Sequence, residues 1–252
     1  MLDATYLPHF MALVMFGAFA HGFMGLGFGI IVIAGLAFTG FSLERASVVL
    51  NLLLPVLFAT VLFASSWDLR FKIKGKLTLL LCIGSFLGVP LGYWFLYTQG
   101  NQPVFYLALG LTLALFSVDY LLRPRINTQL PLWVGFVAAL AGGFLAGAFT
   151  AGGPPLALFL YSHFENPSEA KGTLQIIFLN TTWWRLINIG VFSEGFTWQI
   201  FHWAGLLALL VLIFAFLGHW ATRRVSPLVF SRVVYSFIGL AGAANIIRYF
   251  SI

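Results

Sequence analysis

The clearest candidate for chemistry in this sequence is an arginine inside an apolar stretch. Arg185 follows Thr181 by four residues and precedes Asn188 by three, so the three side chains share one face of a helix. An arginine within a membrane span is a functional hypothesis by default, and its fork of N–H donors suits an oxyanion. The alternative is a place at the membrane interface, because Trp183 and Trp184 adjoin Arg185 and long cationic side chains can reach the membrane surface.

Other polar side chains lie in or beside glycine-rich stretches. Asn51, Gln175 and Asn180 could hydrogen-bond a ligand or an unwound backbone; hydrogen bonds between helices are the alternative and are slightly favoured for Asn51. Thr150 could donate its hydroxyl to a ligand or cap the helix that follows it. His21 could bind an anion when protonated or relay a proton, whereas a neutral, hydrogen-bonded core histidine is the more common case.

Two glycine-rich stretches must position these side chains. "HGFMGLGFG" (21–29) and "AGGFLAGAFTAGGPP" (141–155) both interrupt apolar sequence. Non-helical backbone at membrane depth is tolerated only where it is buried in protein or lines a wet cavity. Glycine permits positive φ angles, and consecutive prolines suit the first turn of a new helix, whose N-terminus attracts anions. Two such ends facing each other would form an anion site, with close helix packing as the alternative; the candidate glycines are Gly22, Gly25, Gly27, Gly152 and Gly153.

The composition requires a membrane to surround these elements. Of 252 residues, 61% are hydrophobic and 8% are charged, against about 25% charged residues in soluble proteins. The net charge of +6 is expected to mark membrane topology rather than nucleic-acid binding. The single cysteine, Cys82, excludes an internal disulfide. We expect a polytopic membrane protein with no cofactor and no metal site, whose partners are the lipid bilayer and a small anion.

The apolar sequence divides into eight segments, two of which are too long for one straight helix. A helix of 30 residues extends about 45 Å, whereas the hydrocarbon core is about 30 Å thick. We therefore predict that the two long segments, 7–41 and 132–162, are broken or re-entrant helical hairpins. The remaining six are predicted transmembrane helices, at 47–66, 77–97, 103–122, 172–192, 198–220 and 228–250.

The loop charges support this interpretation. Basic residues in 68–76, 119–125 and 222–227 predict that these loops are cytoplasmic, and the loop 193–195 is predicted to be external. If the segments 132–162 and 172–192 each crossed the membrane once, residues 125 and 194 would lie on the same side, which contradicts this assignment. The conflict disappears if 132–162 enters the membrane and returns to the same side.

An internal repeat also emerges when the chain is shifted by 125 residues. Gly17, Phe19, Gly22, Gly27 and Glu44 then fall on identical residue types, at Gly142, Phe144, Gly147, Gly152 and Glu169. We predict an all-α fold of two inverted repeats, 1–122 and 132–252, joined by a cytoplasmic linker at 123–131. Each repeat would contain one hairpin and three transmembrane helices. Interrupted helices at corresponding positions of inverted repeats indicate a transporter site near the bilayer midplane.

At these residues the chain resembles the TauE/SafE family of sulfite and organosulfonate exporters. The resemblance rests on "GFMGLGFG" (22–29), "GAFTAGGPPLALFLY" (147–161) and "EAKGTLQIIFLNTTWWRLINI" (169–189). Phe28 interrupts the first glycine run, which is usually denser in the family. The resemblance implies a multi-pass protein of the bacterial inner membrane that carries small sulfur oxyanions or sulfonates, and in some members other small anions.

The expected mechanism is alternating access around an anion held between the hairpins. The sequence contains no P-loop, and an anion leaving a cell that is negative inside moves downhill electrically, so export needs no coupling ion. Arg45 and Lys171 could attract anions to the two mouths of the path. The alternatives are a carrier or channel for another small anion or metabolite, or a membrane assembly component without transport. Scattered histidines argue against an enzyme, and phenylalanine-rich faces would allow a homodimer.

Overall fold

Every regular element in the computed structural model is an α-helix over the residues that it describes. These residues are 7–36, 43–66, 74–100, 103–122, 130–164, 167–192, 196–222, 224 and 226–251. Ten helices form within them: α1 Leu7–Met24, α2 Phe28–Leu36, α3 Leu43–Ser66, α4 Gly75–Gln99, α5 Pro103–Leu122, α6 Leu132–Phe149, α7 Gly153–His163, α8 Pro167–Phe192, α9 Trp198–Ala221 and α10 Pro227–Ser251. The predicted all-α class is confirmed.

The first long segment is a helical hairpin. A Cβ atom on Gly17 would lie 3.2 Å from the Phe28 ring, and one on Gly35 would lie 2.2 Å from the Leu13 side chain. Gly17, in the second half of α1, contacts the start of α2, and Leu13, one turn earlier in α1, contacts the end of α2, so the helices run antiparallel. The nine residues of α2 extend about 14 Å, less than half of a bilayer core of about 30 Å.

The second long segment has the same form. Gly142 of α6 packs against Leu156 near the start of α7, and Gly135 packs against the ring of Phe159 further along. The two helices are therefore antiparallel, and α7 is again short, with 11 residues. A broken hairpin, predicted from segment length and glycine content, is found at both positions.

Seven helices in the described part of the chain are long and apolar enough to cross a membrane, and they confirm a multi-pass membrane protein. They are α1, residues Val48–Ser65 of α3, α4, α5, α6, α9 and residues Arg232–Phe250 of α10. Helix α8 has 26 residues but is not one of the seven, because it carries many polar side chains. It begins at Pro167 rather than at the predicted residue 172.

The helices pack in reciprocal pairs. Helix α4 packs along α6 and α1 packs along α9, while α5 pairs with α10 and α3 contacts α8. A shift of 125 residues places α1 on α6 and α4 on α9, so the pair α4–α6 corresponds to the pair α9–α1. Two duplicated halves would give this pairing. The inverted orientation of the halves stays a prediction, because the loop residues 68–73, 123–129, 193–195 and 223 lie outside the described residues.

Glycines let the paired backbones approach each other closely. A Cβ atom on Gly88 would lie 2.2 Å from the carbonyl oxygen of Leu140, and one on Gly92 would lie 1.9 Å from that of Phe144. These are backbone atoms of the partner helix, so they cannot move aside as a flexible side chain would. The contact between α4 and α6, which supports the second hairpin, therefore requires glycine at both positions.

We expect Gly88→Ala to lower the thermal unfolding midpoint of the detergent-solubilised protein. The added methyl group overpacks the α4–α6 contact, at a cost of about 1–3 kcal/mol. Gly205→Ala is the matched control, since a Cβ atom there would meet nothing within 4 Å; it should leave the midpoint unchanged or raise it slightly. Equal midpoints for the two variants would contradict the close packing of α4 on α6.

Candidate functional site

The tip of the first hairpin is a glycine turn in left-handed backbone. Gly25 has φ +83° and Gly27 has φ +110°, values that residues with a Cβ atom rarely adopt. Leu26 lies between them, and α2 begins at Phe28. The glycine-rich motif thus reverses the chain within three residues.

The carbonyl groups at the end of α1 receive hydrogen bonds from α8. Lys171 donates from Nζ to the carbonyl oxygens of Gly22, at 2.6 Å, and Phe23, at 3.4 Å. Gln175 donates from Nε2 to the carbonyl oxygen of Gly25 at 2.9 Å. The last carbonyls of a helix have no partner within it, and leaving them unsatisfied away from water is costly. Two side chains of α8 therefore stabilise the first tip.

The structure corrects the expectation that Lys171 lies at a mouth of the path. Lys171 is buried, and its ammonium group caps the end of α1. Arg45, the other residue expected at a mouth, belongs to α3, but its side chain lies outside the described residues.

His21 belongs to the same hydrogen-bond network. Its Nε2 lies 2.9 Å from Oε1 of Gln175. The Gln175 amide nitrogen faces the carbonyls of Gly25 and Lys171, so Oε1 is the acceptor and His21 Nε2 carries the hydrogen. Nδ1 then faces the backbone N–H of Phe28 at 3.5 Å. This arrangement is that of a neutral, hydrogen-bonded histidine, and a proton relay stays a prediction.

The tip of the second hairpin is held by Arg185. Its Nη1 donates to the carbonyl oxygen of Ala146 and, at 2.6 Å, to the hydroxyl of Thr150. The side chain is 2% exposed, whereas neighbouring Trp183 is 60% exposed. Arg185 therefore faces the protein interior and Trp183 faces outward, so the interpretation of Arg185 as an interface residue is wrong.

Thr150 ends the helix that precedes it. Its φ of 56° places it in the left-handed region, where it caps α6, and the start of α7 receives no side-chain cap. The alternative prediction, that Thr150 caps the following helix, is wrong. A β-branched residue is strained at this φ and persists only where its surroundings hold it. The hydrogen bond from Arg185 supplies such a restraint.

The two tips contact each other. A Cβ atom on Gly29 would lie 2.1 Å from the carbonyl oxygen of Thr150, and one on Gly153 would lie 3.2 Å from Cβ of Leu26. A cavity of about 40 Å³ lies between the tips and helices α3 and α8. One water molecule needs roughly 10–15 Å³ of such space, so the cavity has room for about three waters or one small oxyanion.

The cavity brings together most of the predicted site residues. Those that line it are His21, Gly27, Asn51, Thr150, Gly152, Gly153, Thr181 and Arg185. It also has lining residues that the sequence did not single out: Phe28, Gly29, Ile30, Leu54, Phe58, Ala146, Ala151, Phe178 and Thr182. A helical pattern could have found Thr182 and Phe178, since they lie three and seven residues before Arg185 on the same face.

Four candidate residues lie outside the cavity lining. Gly22 serves packing, because its Cβ would lie 2.0 Å from the carbonyl oxygen of Ala215. Gly25 forms the turn of the first tip, and Gln175 accepts the hydrogen bond from His21 Nε2. Asn180 donates to the carbonyl oxygen of Cys82 at 3.3 Å, a hydrogen bond between α8 and α4. Gly22 thus takes part in close helix packing and Asn180 in a hydrogen bond between helices, which are the structural alternatives to ligand binding.

The cavity lining favours negative charge, and its two helix starts contribute unequally. Of the described residues that line it, none is acidic, and Arg185 supplies a cation. Helix α2 begins with Phe28, whose backbone N–H faces His21 Nδ1, followed by Gly29 and Ile30, each of which has a backbone N–H. Helix α7 has prolines immediately after Gly153, which have no N–H. The first tip therefore offers backbone donors, whereas at the second tip Arg185 supplies the donors.

Comparison with known protein families gives a match that covers nearly the whole chain. A family model described as "Sulfite exporter TauE/SafE" matches residues 10–245. The chain belongs to the TauE/SafE family. The match includes both tips and every residue that lines the cavity, and it confirms the predicted resemblance. Membership in TauE/SafE places the chain among membrane transporters of sulfur anions, which is consistent with a protein that is not an enzyme. Comparisons with curated proteins and with solved structures gave no match.

We expect Lys171→Met to destabilise the protein by roughly 1–3 kcal/mol, because the buried carbonyls of Gly22 and Phe23 lose their donor. Methionine keeps much of the apolar stem but cannot donate. Lys76→Met is the matched control, since Lys76 is exposed. Thermal unfolding in detergent measures both, and a Lys171→Met midpoint equal to that of Lys76→Met would contradict the capping role.

Proposed function

We propose that this protein exports a small sulfur-containing anion, either sulfite or an organosulfonate, across the bacterial inner membrane. The observation that carries the proposal is the cavity between the two hairpin tips, which Arg185 and the start of α2 line; none of the described residues in its lining is acidic. Family membership supplies the class of substrate, and the cavity supplies a place where such an anion could bind.

Arg185 is the proposed main binding residue. Its guanidinium carries five N–H donors in a planar fork that matches the oxygens of an oxyanion. Burial strengthens this attraction, because the effective dielectric constant within the protein is lower than that of water. On the other side of the cavity, the backbone N–H groups and the positive end of the helix dipole of α2 favour the same charge.

Three polar side chains of α3 and α8 also line the cavity. Asn51 of α3 and Thr182 of α8 are buried and line the cavity, and each carries a donor. Thr181 also lines it, but its hydroxyl already donates to the carbonyl oxygen of Phe178 at 3.0 Å. We therefore assign Thr182 as a donor to the anion, Asn51 as a polar residue of the site wall and Thr181 as a packing residue.

Alternating access would follow from movement of one hairpin tip relative to the other. The tips meet through small residues, with Gly29 against Thr150 and Gly153 against Leu26, so their separation breaks little apolar packing. Helix α8 is hydrogen-bonded to both tips, so a rocking movement of the two halves would change its contacts with each tip. Sequential opening on the two sides would release the anion without a continuous pore.

Replacement of Arg185 tests the site directly. We expect Arg185→Gln to reduce anion affinity by at least about tenfold, since a hydrogen bond to a charged group contributes about 1.5–3 kcal/mol. Arg185→Lys, which retains the charge but not the fork, should give an intermediate affinity. The measurement is the thermal shift of purified protein with sulfite, methanesulfonate and neutral dimethyl sulfone.

Arg232→Gln is the matched control for this experiment, because Arg232 is exposed at the start of α10. It should bind anions as the wild type does. Anion-induced stabilisation of Arg185→Gln as large as that of the wild type would remove Arg185 from the proposed site.

Uncoupled export has an electrical signature. In liposomes, an imposed potential of 100 mV contributes about 2.3 kcal/mol per charge, so a monovalent sulfonate should reach about a 50-fold concentration ratio at equilibrium. The initial flux should saturate with substrate concentration, as expected for a carrier. A ratio that does not change with the potential would contradict uncoupled export, and a flux linear in concentration would indicate a channel.

A further inference from the structure

The cavity has an aromatic wall that anion binding does not require. Phe58 of α3 and Phe178 of α8 have ring centroids 5.3 Å apart. The ring of His21 lies 5.2 Å from that of Phe58 and 6.1 Å from that of Phe178. Phe58 is 5% exposed and Phe178 is 7% exposed. The three rings lie in mutual contact and form one apolar side of the cavity.

Phe178 and Arg185 mark opposite ends of the cavity along α8. They are seven residues apart, so their backbones are separated by about 10 Å along the helix axis. Phe178 also reaches the second tip, because a Cβ atom on Gly153 would lie 3.5 Å from its ring. Gln175, one turn before Phe178, is outside the cavity lining. The ring of Phe178 therefore ends the space that begins at the guanidinium.

The volume of the cavity fits a compact ion better than one with a carbon chain. The volume of about 40 Å³ corresponds to about three water molecules, which is the scale of one sulfur atom with its oxygens. A chain of two or three carbon atoms that pointed away from Arg185 toward the rings would have to displace Phe58 or Phe178. Packed interiors resist such displacement, because side chains are forced from their preferred rotamers.

We propose that Phe58 and Phe178 determine the size of the substrate, so that the site takes a compact sulfur oxyanion and rejects organosulfonates with longer carbon chains. This inference rests on the proposed function and narrows its substrate class. The oxygens of the anion would face Arg185 and the first N–H groups of α2, and the side of the ion away from them would contact the two rings. A longer carbon chain would have to enter the aromatic wall.

A series of alkanesulfonates tests chain length alone, because each member carries one negative charge at neutral pH. Methanesulfonate, ethanesulfonate and propanesulfonate, with sulfite as the reference, are titrated into purified wild type, Phe178→Ala and Phe58→Ala by calorimetry. Phe105→Ala is the matched control, since Phe105 is 1% exposed and lies outside the cavity lining. It creates a comparable void elsewhere in the core.

In the wild type, we expect affinity to fall by about tenfold or more from methanesulfonate to propanesulfonate. Phe178→Ala and Phe58→Ala should reduce this difference to within about threefold, whereas Phe105→Ala should retain it. A purely structural role of the rings would lower stability without changing the ranking of the ligands. Phe178→Leu, a milder change, should shift the ranking in the same direction if Phe178→Ala does not fold.

Two results would overturn the inference and leave the proposed function intact. One is wild-type protein that binds propanesulfonate as tightly as methanesulfonate. The other is folded Phe178→Ala and Phe58→Ala that retain the wild-type dependence on chain length. Wild-type protein that binds neither sulfite nor any sulfonate would instead contradict the proposed function itself.

Discussion

The structure depends on how helix ends are satisfied within a membrane protein. Helices α1 and α6 both end at hairpin tips inside the protein, where their last carbonyls lie away from bulk water. Helix α8 supplies donors to both ends, through Lys171 and Gln175 at the first tip and through Arg185 at the second. Lys171 and Arg185 are 14 residues apart, about 21 Å along the helix. One helix thus fixes the two tips around the cavity.

The same requirement explains why α8 is so polar. Lys171, Gln175, Thr181 and Arg185 are all buried, and each has a hydrogen bond to backbone or to another side chain. Buried polar groups of this kind are tolerated when they are paired. The cation that fixes the second tip also lines the cavity, so under the proposed function the stability of the tip and the recognition of an anion involve the same side chain.

The two halves share an architecture but differ in chemistry. Under the shift of 125 residues, the α3 positions that correspond to Lys171, Gln175 and Arg185 hold Ala46, Leu50 and Thr60, none of which carries a charge. Helix α8 therefore contacts both tips, and α3 contributes Leu54, Phe58 and the uncharged polar side chain of Asn51 to the cavity lining. The helix starts differ as well, with backbone N–H groups at α2 and prolines at α7. The cavity between the two tips is therefore asymmetric.

The sequence by itself determined the membrane class and the broken hairpins, and it singled out Arg185 as a candidate. These follow from local properties: apolar composition, segments too long for one helix, glycine and proline where a helix must stop, and a charge among apolar residues. Only the tertiary structure decided that Lys171 caps α1, that Gly22 serves packing, and that Phe178 ends the cavity. Lys171 and Gly22 are 149 residues apart in the chain. Such pairings are set by which helices pack together and at what depth, and a single sequence carries no local pattern for either.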